Sequence, residues 1–166
     1  MDSLSVTAEP GIHRQLDARV ERETPTLAVR SGGLESTRPI RIIVSLTRLV
    51  GLVTRGSGQV IVYTIRDQSL DLSLPGAEDV TARSGRVVRQ TMERSGSGDY
   101  VADTLHSDDA RVRLLGSGNA RVRVSGQLRT DVNGSGSLHA AGSPWIDAQT
   151  WGAGSAMRIT SPSERN

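Results

Sequence analysis

The chain has no cysteine, no phenylalanine and no lysine among its 166 residues, and only two tryptophans and two tyrosines. Each absence excludes something. Without cysteine there is no disulfide framework, no thiol catalysis and no cysteine-based metal site. The compartment stays open, because an exported protein need not carry disulfides. Without phenylalanine the core must be filled by Val, Leu, Ile and Ala, which suits thin, closely stacked layers. Without lysine, all 20 basic groups are arginines, set against 18 acids for a formal net charge of +2. They are scattered and nearly without aromatic partners, whereas nucleic-acid binding needs a concentrated basic patch and stacking surfaces. No nucleic-acid partner is expected. No apolar run nears the roughly 20 residues of a membrane-spanning helix. The opening residues Met1 to Val6 show neither the basic nor the apolar region of a signal peptide. Taken alone, that start reads as cytoplasmic.

What the chain has is glycine, 18 residues of it, in a pattern. Gly-Ser-Gly stands at 56–58, 96–98, 116–118 and 134–136, with Gly152-Ala153-Gly154 as a near copy. The last four first glycines lie 20, 18 and 18 residues apart. The gap from Gly56 to Gly96 is twice that period, and its midpoint is Pro75-Gly76-Ala77, a disguised sixth mark. Between the marks every second residue is apolar or small, as in Leu70/Leu72/Leu74 and Val60/Val62. That is the period of a strand with one face buried. Each piece reads strand, glycine-rich turn, strand; it cannot bury its apolar face alone, but stacked copies share a continuous core. Glycine at the turns permits the positive φ of a tight corner. The fold class expected is therefore all-β: a parallel β-helix or β-solenoid of about six 18–20-residue rungs. A single domain over residues 1–160 is expected, with opening strands in 1–45, rungs in 46–160 and a flexible tail at 161–166. The rung before Gly96 departs from the pattern, with Gln90, Met92 and Arg94 in its inward slots, and a bulge or an open side is expected there.

Stacking places outward residues in columns. One reads Ser73, Glu93, Arg113, Asp131, Gln149; a second Asp71, Thr91, Arg111, Arg129, Asp147; a third contains Arg83, Asp103 and Arg123. Opposite charges largely alternate, as pairing between neighbouring strands favours, although Arg111 and Arg129 break the rule. Before the rungs, Leu4/Val6/Ala8, Leu27/Val29 and Ile40/Ile42/Val44 read as a short irregular β layer. Ile12, Leu16 and Val20 are spaced for one or two helical turns, and Pro10-Gly11, Pro25, Gly32-Gly33 and Pro39 mark connections.

The recurring units Arg55-Gly56-Ser57-Gly58-Gln59-Val60, Ser95-Gly96-Ser97-Gly98-Asp99-Tyr100, Leu115-Gly116-Ser117-Gly118-Asn119-Ala120 and Asn133-Gly134-Ser135-Gly136-Ser137-Leu138 resemble a bacterial family, the "putative auto-transporter adhesin, head GIN domain". Gly142-Ser143-Pro144 with Gly152-Ala153-Gly154 is similar to its last repeats, and Pro39 to Leu46 to the segment before its first rung. The resemblance implies a β-helix-like fold and an exported protein of the cell envelope, periplasmic or extracellular, with no assigned molecular activity. It also implies an export signal and a further strand ahead of the segment matching Asp2 to Thr7, so a truncated start is expected at Met1. An in-frame stop directly upstream of that codon, with no signal-like segment, would sink that expectation.

No catalytic, cofactor-binding or metal-ligating residue is expected, and no cofactor. His13, His106 and His139 have no partner at metal-ligand spacing. His106 beside Ser107-Asp108-Asp109 reads as a polar loop, and Asp103, Asp108 and Asp109 as a charged outer face rather than the carboxylates of a glycan-cleaving enzyme. A phosphate loop needs a following helix and usually a lysine, and neither is signalled. Trp145 and Trp151 flank the last rung, either capping the core or offering an aromatic surface. A non-enzymatic surface or envelope module is expected, binding a glycan or protein; the alternatives are a self-assembling scaffold and, last, a polysaccharide-active enzyme.

Overall fold

The computed structural model describes residues 3–7, 16–21, 24–29, 41–45, 49–54 and 57–159, with side chains from residue 49 onward. Every regular element among them is a strand: β1 (Ser3–Thr7), β2 (Leu16–Glu21), β3 (Thr24–Val29), β4 (Arg41–Ser45), β5 (Gly51–Val53), β6 (Gln59–Leu74), β7 (Asp79–Arg94), β8 (Tyr100–Leu114), β9 (Ala120–Val124), β10 (Gln127–Asn133), β11 (Ser137–Ala141), β12 (Trp145–Trp151) and β13 (Ser155–Ile159). Strands β4 to β13 stack in parallel, each rung over the one before, in a β-solenoid. The glycine marks bound five complete rungs, with β4 and β5 beginning the stack and β13 ending it.

Register follows the glycine period. Val60, Val80, Tyr100 and Ala120 lie over one another, then Leu138 and Ala156. The period shortens at the corner opposite the glycines. Strand β8 matches β9 up to Ala102–Val122 and resumes at His106–Arg123, so Asp103 to Leu105 have no counterpart in the next rung. Gly126 then restores one residue, since Ala110 meets Leu128. The third outward column is therefore corrected: Arg123 lies over His106, not Asp103.

The inward columns form one core, including Leu70, Leu72, Leu74, Val80, Tyr100, Leu105, Val112, Leu114, Val122, Leu128 and Leu138. The rung before Gly96 has neither bulge nor open side. Strand β7 pairs with β6 and β8 along its length, and Gln90, Met92 and Arg94 are each 0% exposed. The polar groups are tolerated because they meet partners from neighbouring rungs. Ser107 Oγ donates to Gln90 Oε1 at 2.8 Å, and Gln90 Nε2 donates to the Tyr100 hydroxyl at 2.6 Å. Buried polar groups with satisfied hydrogen bonds keep a strand in place as apolar ones do.

Glycine is required mainly for another reason than the one expected. In the middle rungs Gly96, Gly98, Gly116 and Gly118 do not have positive φ. The corners instead stack so closely that a Cβ on Gly96 would fall 1.6 Å from the Gly76 carbonyl oxygen. The residue after each mark ties one corner to the next: Asp79 Oδ1 accepts the Asp99 N–H, Asp99 Oδ1 the Asn119 N–H and Asn119 Oδ1 the Ser137 N–H. That ladder explains the polar residue in the Gly-Ser-Gly-polar unit.

At the start of the stack, β1 runs antiparallel to β4, and β2 pairs antiparallel with β3 as a separate two-stranded sheet. Leu16 to Glu21 thus form a strand, not helical turns, and Pro25 lies within β3 opposite Val20. Ile12, Pro10-Gly11, Gly32-Gly33, Pro39 and the 161–166 tail lie outside the described residues.

Candidate functional site: outward columns and corners

An in-register parallel stack repeats every outward side chain at the rung spacing, about 4.8 Å. The first outward column is an ion-pair ladder. Arg113 Nη1 lies 2.8 Å from Glu93 Oε2, and its Nε 3.9 Å from Asp131 Oδ2. Arg111 reaches the same Asp131 oxygen at 3.9 Å from the second column. This sets an acid beside Arg111, opposing its repulsion from Arg129, by a diagonal contact that the columns taken singly do not show.

A different column runs up the corner opposite the glycines. Arg66 pairs with Arg86, Arg86 with His106, and His106 with Arg123, over four successive rungs. Arg86 Nη2 bonds Asp108 Oδ1 at 2.5 Å. Arg123 Nη1 lies 3.2 Å from His106 Nε2; guanidinium only donates, so the imidazole nitrogen accepts. Beside Arg66 and Arg86 opens a groove of about 740 Å³, lined also by Asp67, Gln68, Gly85 and Val88. Asp67 Oδ1 accepts the N–H of Gln68 at 2.8 Å. The corner turns through Thr64 (φ 54°) and Ser84 (φ 59°), a left-handed conformation uncommon outside glycine. Gly85 follows at φ 137°, where a Cβ would sit 2.0 Å from the Ile65 carbonyl oxygen.

Inside the stack, two irregularities of the sequence turn out to be one feature. Glu78 stands where the other marks carry their second glycine, and Arg94 stands in the apolar slot between Leu74 and Leu114. Both are buried, at 3% and 0% exposure. Arg94 Nη2 donates to the Glu78 carbonyl oxygen at 2.6 Å, and Glu78 Oε1 accepts from the Thr54 hydroxyl. Burial holds the Arg94 guanidinium below the ordinary arginine value, while the charges of Glu78, Asp99 and Asp79 pull it back up. The guanidinium lies against Gly98 and Gly118, where a Cβ on Gly118 would come 2.5 Å from its Nε. Burial also raises the Tyr100 phenol well above its ordinary value near 10, opposed by its Gln90 hydrogen bond.

Of the three acidic residues weighed for glycan cleavage, Asp108 and Asp109 have partners, while the Asp103 Oδ1 is buried without a hydrogen-bond partner. Asp108 holds Arg86, Asp109 Oδ1 accepts the Gln127 N–H at 2.9 Å, and Asp103 lies where β8 departs from register with β9. His106 belongs to a continuous strand rather than a loop. His139 is half-buried in an outward column between Arg121 and Met157, and His13 lies outside the described residues. No group of three His, Asp or Glu side chains among the described residues converges to hold a metal. Trp145 and Trp151 do not cap the core: they are 67% and 54% exposed. Outward slots at the strand's two ends send both rings to solvent, while inward Ala148 and Thr150 remain exposed beneath β12.

Fold and surface together define a parallel β-solenoid with glycine-stacked corners and charge-bearing outward columns. The chain belongs to the family described as "Putative auto-transporter adhesin, head GIN domain", whose model matches residues 1–144. The fold is shared with a solved "putative adhesin" from Bacteroides fragilis, at TM-score 0.71 and 19% identity, over 96% of this chain and 83% of that one. It is also similar to a solved "putative lipid binding protein" from Parabacteroides distasonis, at TM-score 0.52 and 20% identity, over 94% and 83% of the two chains. No curated protein matches the sequence significantly. No helix among the described residues is long and apolar enough to cross a membrane.

Proposed function

We propose that this chain is a non-enzymatic binding module of the bacterial cell surface or envelope, engaging its ligand through one of the outward columns of the solenoid. The observation that carries this reading is the rigid repetition of charged outward side chains at rung spacing, in a chain of an adhesin-described family. Such a surface presents many weak polar contacts in fixed order, which suits an extended or repeating ligand. The test combines fractionation of producing cells with binding of the purified chain to a glycan array and to intact cells. Residence in the cytosol together with no binding on either surface would refute it. Turnover of any polysaccharide on a glycan panel would instead favour the enzyme reading, for which Asp108 and Asp109, held by Arg86 and the Gln127 N–H, offer little.

Self-association is a second reading with its own observation. Among the described residues β12 pairs only with β10 and β13 only with β11, so both final strands present an open edge. Open edges accept further strands, and Trp145, Trp151, Met157 and Ile159 are exposed around them. At the other end β1 lies antiparallel on β4, which does not continue a parallel stack. Pairs joined at the β12–β13 end fit this better than filaments. Sedimentation velocity across a range of concentrations decides: a monomer throughout excludes it.

A further inference from the structure

We propose that the corner column Arg66–Arg86–His106–Arg123, with the groove beside it, binds an acidic polysaccharide carrying carboxylate or sulfate groups along an extended chain. This rests on the reading above that ligands meet the outward columns, and it names the column and the ligand class.

The argument begins with an anomaly of charge. The Ser73–Gln149 and Asp71–Asp147 columns both mix acids with arginines, and the ladder through Arg113 is closed by ion pairs on both sides. The corner column carries Arg, Arg, His, Arg with no acid in it. Asp108 holds Arg86 and His106 accepts from Arg123. Arg66, however, lies directly over Arg86, and like charges opposite one another in a sheet are destabilising, so stability does not account for Arg66. Three of the four are open to solvent: Arg66 and His106 are exposed, and the Arg86 side chain is 69% exposed although it bonds Asp108, while Arg123 is half-buried. The tight turn at Thr64 and Ser84 sets Arg66 and Arg86 in the same orientation on successive rungs. Asp67 shares the groove with its Oδ1 accepting the Gln68 N–H; its one negative charge leaves the groove net positive against Arg66 and Arg86.

The ligand class follows from the chemistry and the spacing. A guanidinium fork pairs with the two oxygens of a carboxylate or sulfate in plane. Repetition at about 4.8 Å calls for a polymer whose units repeat along an extended chain, and a pyranose ring is of comparable length. The groove adds the Gln68 amide for hydroxyl groups and the exposed Val88 side chain for a ring face. A single-stranded nucleic acid would need aromatic platforms for its bases. The nearby Tyr63 ring is instead overlain by Arg83 at 5.9 Å.

The test measures binding of the whole chain by calorimetry to polygalacturonate, heparin, neutral dextran, polyphosphate and vesicles containing an anionic phospholipid. The expected result is binding to one or both acidic glycans and none to dextran. R66Q/R86Q, and R66Q alone to a lesser degree, should weaken it by about tenfold or more. The control R111Q/R129Q, which removes the same charge from another column, should leave it unchanged. The thermal midpoint of R66Q should be no lower than that of the parent, because like-charge stacking on Arg86 is relieved while the Arg86–Asp108 bond is kept. Equal loss in both double variants would overturn the column. Polyphosphate or vesicles bound as tightly as the glycans would overturn the ligand class. If the chain binds glycans or cells and R66Q/R86Q is silent, the column fails while the binding-module reading stands; no binding to any glycan or cell sinks both.

Discussion

Replacing Arg94 and Glu78 by the residues that other rungs carry in those slots separates a register device from a stability device. Arg94 has one hydrogen bond, to the Glu78 carbonyl oxygen, and its Nε and Nη1 are buried without a hydrogen-bond partner, as is Glu78 Oε2. Arg94→Leu leaves the Glu78 carboxylate buried without its nearby cation and the Glu78 carbonyl without its donor, and a buried polar group left unsatisfied costs about 1–3 kcal/mol, more for a charged one. Glu78→Gly should cost less, because the carbonyl that Arg94 bonds is retained and Asp79 and Asp99 still favour its charge. The double variant E78G/R94L recreates the leucine-and-glycine corner of the neighbouring rungs. Apolar replacement of a buried pair is often neutral or stabilising by about 1–4 kcal/mol, so the double variant should match or exceed the parent. Urea unfolding at neutral pH measures all four proteins, with a constant slope showing that the transition is comparable. The reasoning predicts strong positive coupling. Additive effects within about 0.5 kcal/mol, as for independent sites, would refute it.

The remaining predictions concern the corners and the buried phenol. Gly96→Ala should destabilise by about 2 kcal/mol or more through overpacking, since its Cβ would invade the Gly76 carbonyl; exposed Ser97→Ala should be silent in the same thermal melt. Asp99→Ala removes the acceptor of the Asn119 N–H and Nδ2 and should cost about 1 kcal/mol. Asp99→Asn keeps an amide oxygen there and should recover most of it in urea titration. Because the folded-state value of Tyr100 is raised, its contribution is intact below the unfolded value near 10 and is lost as pH climbs above it. Unfolding free energy should then fall by up to about 1.4 kcal/mol per pH unit, and Tyr100→Phe should flatten that part of the profile.

Much of the scaffold is legible in the residues themselves. The glycine marks and the alternation between them announce stacked rungs, because a period-two face with no partner in its own segment must be buried against a copy. The Ser73–Gln149 and Asp71–Asp147 columns were readable for the same reason: parallel stacking at a constant period aligns equivalent residues. Legibility fails wherever the period changes. The column of Arg66, Arg86, His106 and Arg123 spans the place where three residues drop out between Ala102 and His106, so no constant spacing connects its members. The polar residues before Gly96 misled for a related reason. Gln90 and Arg94 find partners 10 to 17 residues away, at Tyr100, Ser107 and Glu78, across rungs rather than within one.

Sequence alone determined the solenoid and the position of its glycine corners, since periodicity and the absence of large aromatic side chains act locally and repeat. Tertiary structure decided why those corners need glycine, which groups meet the buried Arg94 and Glu78, and which basic residues share a face. Those are matters of close approach between rungs, and distance between stacked chains is set by the whole assembly.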